Sequence, residues 1–87
     1  MQEKLDLFRN NFTVKLQTSI GLRVFYFRPV NSVNGILYHV TVFGTITNNY
    51  FLMININGSW DFGKRELVPG WVLIAENEFK ELVAQYI

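Results

Sequence analysis

His39 is the only histidine in this chain, and it is the first residue to ask for chemistry. A general base needs a proton to take and a partner to orient it. No cysteine exists to pair with it, and no Asp or Glu lies in the same stretch of chain. A metal site needs several ligands, and one histidine with scattered carboxylates does not supply them. Glu76, Glu78 and Glu81 cluster, but at the start of a helical pattern, where a carboxylate suits the positive end of the helix. Asp61-Phe62-Gly63 spells a triplet that binds Mg²⁺ in protein kinases. That role also needs a catalytic loop and a glycine-rich loop, and 87 residues cannot hold them. The six glycines sit at turns or breaks and form no phosphate cradle, and Lys64-Arg65 reads as a loop charge. The residues thus point to a non-enzymatic protein with no cofactor and no metal.

Composition narrows the class further. Eighty-seven residues make one small α+β-sized domain with a modest core. The absence of cysteine rules out disulfide stapling and thiolate chemistry. The opening MQEKLDLFRNNF lacks the apolar stretch of a signal peptide, and no run is long enough to span a membrane. The expectation is a soluble, cytoplasmic protein. Net charge is only +1, which argues against a dedicated nucleic-acid binder. The charge is unevenly placed, however. Between Leu7 and Trp60 there is no Asp or Glu, while Arg9, Lys15, Arg23, Arg28 and His39 fall there.

The elements that must carry these residues are mostly strands. Asparagines punctuate the chain at 10–11, 31–34, 48–49 and 57, and Asn tolerates the backbone that turns demand. Between them lie strand-length segments at 12–18, 22–28, 36–43, 50–56 and 59–62. Their short connections leave no room for parallel crossovers. An antiparallel meander of four to five strands follows. Residues 77–87 read as a helix, with Phe79, Leu82, Val83 and Tyr86 on one side, Asn77 as its cap, and an earlier start after Pro69-Gly70, taking in Trp71 and Ile74, in view. Residues 2–10 suggest a short N-terminal helix.

Alternation assigns faces. Even positions are expected to form the inner face under the helix: Phe12, Val14, Leu16, Leu22, Val24, Tyr26, Tyr38, Val40, Val42, Tyr50, Leu52 and Ile54. A three-residue loop around Asn57-Gly58, and a bulge at Gly44, would keep that parity and bury Trp60 and Phe62. The odd positions then pose the question raised by RVFYFRPV (23–30), which has rings on both sides. Phe25, Phe27, Phe43 and Phe51 at half exposure would offer roughly 300–500 Å² of apolar surface, as much as the largest patch on a typical monomer. The leading expectation is a homodimer or protein-partner interface on that face, carried by Arg23, Phe25, Phe27, His39, Phe43 and Phe51. Cover by the protein's own chain is the competing outcome. A nucleic-acid or small-ligand platform on the same face, with Lys15, Arg23 and Arg28 for phosphates, is the alternative function.

Overall fold

The computed structural model describes residues 11–30 and 36–85. Five antiparallel strands form one sheet in sequence order: β1 (Phe12–Thr18), β2 (Gly21–Val30), β3 (Ile36–Phe43), β4 (Asn48–Ile56) and β5 (Ser59–Phe62). A 3₁₀ turn (Arg65–Leu67), a single-turn helix α1 (Gly70–Leu73) and a longer helix α2 (Glu76–Ala84) follow. The meander curls into a half-barrel, and α2 packs on its hollow side. The α+β meander expected from sequence is the fold. The expected N-terminal helix falls on residues outside the described ones. Among the described residues, no helix is long and apolar enough to cross a membrane.

Turn chemistry sets which side each strand presents. Thr18 pairs with Gly21 across a two-residue turn. The Thr18 hydroxyl donates to the Gly21 carbonyl at 2.6 Å and accepts from the Ile20 N–H at 3.2 Å, so this buried polar side chain is satisfied by the turn it closes. Asn57 and Gly58 form the second two-residue turn, with φ of 57° and 84°. Ile56 therefore pairs with Ser59, as a type I′ hairpin dictates. The β3–β4 loop spans 44–47 and closes with the Gly44 N–H donating to the Thr47 carbonyl at 2.9 Å. A Cβ on Gly44 would lie 2.7 Å from Asn49 Nδ2, so this glycine serves close approach in a loop and not the expected bulge.

Every hairpin thus joins an odd residue to an even one. Val14 faces Phe25, Phe27 faces Val40, Val40 faces Phe51, and Met53 faces Phe62. The inner face is even on β1, β3 and β5 but odd on β2 and β4. This corrects the constant-parity expectation: one unit of parity is lost at each even-length loop, and side-chain faces exchange with it. It also resolves Trp60. The two-residue turn was expected to expel it, yet Trp60 is buried, because β4 had already exchanged faces.

Phe79, on α2, is the hub of the core. Its ring centroid lies 4.8 Å from that of Phe25, 5.9 Å from Phe27 and Phe62, and 6.0 Å from Phe51. Val83, one turn on, is also fully buried, which gives α2 the i, i+4 apolar stripe that seats it. At the other end of the hollow, Phe12 stacks on Phe27 at 4.6 Å and Tyr38 packs against Trp60 at 5.5 Å. Ala75 occupies the position before α2 and makes no side-chain cap, so Asn77 lies inside the helix and is not its cap. Pro69 precedes α1, which is a separate turn: Ile74 and Ala75 divide it from α2, so the two do not make the one longer helix expected from a start after Gly70.

Candidate functional site

The inner face is filled, so a site must be sought on the outer one. Of the six residues expected to carry a partner, Phe25, Phe27 and Phe51 are core residues with at most 2% of their surface exposed. They lie beneath α2 and cannot meet a partner. Their assignment to the outside fails because β2 and β4 present the opposite parity. Arg23 is half-buried and shares the inner side of β2 with Phe25, so it too leaves the expected surface. His39 and Phe43 do lie on the outer face, as expected.

The residues that replace the lost phenylalanines had been assigned to the core. Leu22 (58% exposed), Tyr26 (57%) and Tyr50 (64%) stand on the outer face with Phe43 (55%). Pairing aligns them in rows across the sheet. Thr13, Tyr26, Thr41 and Tyr50 form one row, and Arg28, His39 and Leu52 form the next. Lys15, paired with Val24, lies beside Tyr26 on the same face. Gly63 continues the second row: its N–H donates to the Leu52 carbonyl at 2.8 Å, and a Cβ on it would lie 2.8 Å from Leu52 Cβ.

Two shallow depressions cut this face and share Arg28 and Thr41. One, of about 320 Å³, is bordered by Thr13 and Tyr26. The other, of about 370 Å³, is bordered by His39, Tyr50, Leu52 and Lys64. Together they form a continuous track from Tyr26, past Arg28, to Tyr50 and Lys64.

Electrostatics set this face apart. The ion pairs among the described residues gather at the helical end of the molecule. Arg65 grips Glu76 with two hydrogen bonds of 2.9 and 3.0 Å, and Lys80 bridges Glu76 at 3.0 Å and Asp61 at 2.8 Å. Lys15, Arg28 and Lys64 take part in none of them. Because β1 to β4 contain no Asp or Glu, nothing acidic on these strands answers those cations.

The helical network has a measurable consequence. The hydrogen bonds from Arg65, and then from Lys80, hold the Glu76 carboxyl down from its ordinary 4.5 to about 2. A carboxyl more acidic in the folded than the unfolded state stabilises the fold above its unfolded value. That contribution is present above about pH 4.5 and disappears as pH falls towards about 2. Glu76→Gln is therefore expected to lower Tm by a few degrees at pH 7 and to match the parent near pH 2, as followed by thermal circular dichroism.

Tyr38 and His39 project to opposite faces, with Tyr38 fully buried and its hydroxyl pushed by burial above the usual tyrosine range. Among the described residues, no three His, Cys, Asp or Glu side chains come together to hold a metal.

Sequence reasoning missed Tyr26 and Tyr50, although a signal was present. Where two adjacent rings must take opposite faces, the one with a polar tip belongs in water. Phe25-Tyr26-Phe27 and Tyr50-Phe51 obey this, and Tyr38-His39 obeys it with histidine as the wetter partner.

No family model matches this chain, and neither a curated protein nor a solved structure matches it.

Proposed function

We propose that this chain is a non-enzymatic interaction module that takes a negatively charged macromolecule on the outer face of its sheet. One observation carries the reading: exposed Leu22, Tyr26, Phe43 and Tyr50 share a face with Lys15, Arg28 and His39, and the single carboxylate that the five strands place there, Asp61 at the β5 edge, is tied to Lys80. Exposed rings with arginine are the usual make-up of contact surfaces. The hollow side has no room for a partner, since α2 fills it.

Charge decides between partners. A two-fold homodimer through this face would set the patch against its own copy. Lys15, Arg28 and Lys64 would then be brought towards like charges, with only Asp61 and Glu66 near the margin to offset them, and like-charge juxtaposition costs several kcal/mol. An anionic partner meets the same cations favourably. This moves the reading away from self-association and towards the alternative function on the same surface.

The test is an amide chemical-shift map at low salt with two anionic probes, oligothymidylate and polyglutamate. Shifts are expected at Thr13, Lys15, Tyr26, Arg28, His39, Thr41 and Tyr50, with α2 unmoved. If neither probe moves an outer-face amide, the reading is wrong.

A further inference from the structure

We infer that the partner is a single-stranded nucleic acid, laid along the Tyr26–Arg28–Tyr50 track. The inference rests on the proposed function and goes further, because it names the chemistry of the partner. Tyr26 and Tyr50 both pair with Thr41, one from each side. They therefore stand two strand spacings apart, about 9.5 Å, with only a small hydroxyl side chain between them. Both rings are more than half exposed, at 57% and 64%. Exposed aromatic rings bind bases by stacking, whatever the sequence.

A duplex cannot use such a pair of rings. Its bases are stacked on one another at a rise of about 3.4 Å, with their faces covered. A single strand can splay its bases, set one on each ring and leave its backbone to cross between them. The backbone then passes Arg28, which lies on the face of Tyr26 two residues along β2, and His39, which is paired with Arg28. Lys15 flanks the Tyr26 end, and Lys64 borders the Tyr50 end. Arginine offers a fork of donors suited to phosphate oxygens. The alternation of ring, cation, ring and cation matches the repeat of base and phosphate. A run of acidic side chains such as polyglutamate would use the cations but offer no flat face to stack on the two rings.

The low net charge of +1 does not oppose this. Asp61 and Glu76 are engaged by Arg65 and Lys80 at the helical end, while the cations of the track are unengaged. The total averages two regions that differ in sign.

The experiment is fluorescence anisotropy of the whole chain with labelled oligothymidylate of about ten nucleotides, within the usual site sizes for such platforms. Oligouridylate, the matching duplex and polyglutamate of equal charge are run beside it. Salt-dependent binding of the single strands is expected. Tyr26→Ala and Tyr50→Ala are each expected to weaken it by about five- to a hundredfold. Arg28→Gln should flatten the slope of log K against log salt by about 0.7. Circular dichroism checks that each variant is folded, and Tyr50→Phe, which keeps the stacking ring, should bind like the parent. Whichever of oligouridylate and oligothymidylate binds more tightly assigns the natural partner to RNA or DNA. Equal binding of polyglutamate with both tyrosines dispensable overturns the inference in favour of an acidic protein and leaves the proposed function standing. Duplex binding as tight as single-strand binding also overturns it. No binding by any probe removes both.

Discussion

Phe79→Ala will cost about 3–5 kcal/mol of folding stability, the usual range for emptying a fully enclosed phenylalanine site. Phe79 meets Phe25, Phe27, Phe51 and Phe62 at centroid distances of 4.8 to 6.0 Å. At about 0.05–0.15 kcal/mol per residue, an 87-residue domain holds roughly 4–13 kcal/mol in all. The substitution removes a large share of that, and Tm should fall by roughly 12–40 °C. Urea unfolding followed by tryptophan fluorescence checks it, since Trp60 is buried in the same core. A loss under about 1 kcal/mol would mean that the ring is not enclosed as described.

The second large effect comes from two neighbouring residues treated alike. Phe51→Asp should abolish folding, and Tyr50→Asp should leave the fold intact. At 51 the new carboxylate would sit among Phe25, Phe62 and Phe79. Desolvating it costs several kcal/mol, on top of the lost ring, and the sum exceeds what the domain holds. At 50 the side chain is in water, and a surface change of this kind stays within about 0.5–1 kcal/mol. Tyr50→Asp should instead abolish oligonucleotide binding, because it removes a stacking ring and sets a negative charge beside Arg28 and His39. Far-UV circular dichroism of the two proteins decides the matter. A folded Phe51→Asp with an unfolded Tyr50→Asp would mean that the faces of β4 are the reverse of those described.

That pair of variants also marks where the sequence was legible. Strand positions, the meander and the helix were readable from turn residues and periodicity. The faces of β1 were readable too, because Val14 and Leu16 alternate with Lys15 and Gln17. β2 and β4 gave no such cue. Phe25 and Phe27 compete with Val24 and Tyr26, and Phe51 and Met53 with Tyr50, Leu52 and Ile54, so both sides are apolar. In such strands the face is dictated by the length of the preceding loop, and a change of one residue exchanges every side chain. The candidate site inherited that error at Phe25, Phe27 and Phe51 and escaped it at His39 and Phe43, on β3. The acid-free stretch from Leu7 to Trp60 was visible from the start, but that Lys15 and Arg28 share the outer face while Arg23 turns inward was not.

Helix α2 touches both β1 and β5, the two outermost strands of the curl. Those strands are made first and last among the five, and the helix follows them all in the chain. On the ribosome, the hairpins can close one after another as they emerge, since each joins neighbours across a short connection. The rings of Phe25, Phe27, Phe51 and Phe62 stay bare until the helix is synthesised and drops into the hollow. A chain halted before Glu76 would leave those rings without the Phe79 and Val83 stripe that covers them, the kind of exposed apolar surface that makes a partly folded chain prone to aggregate.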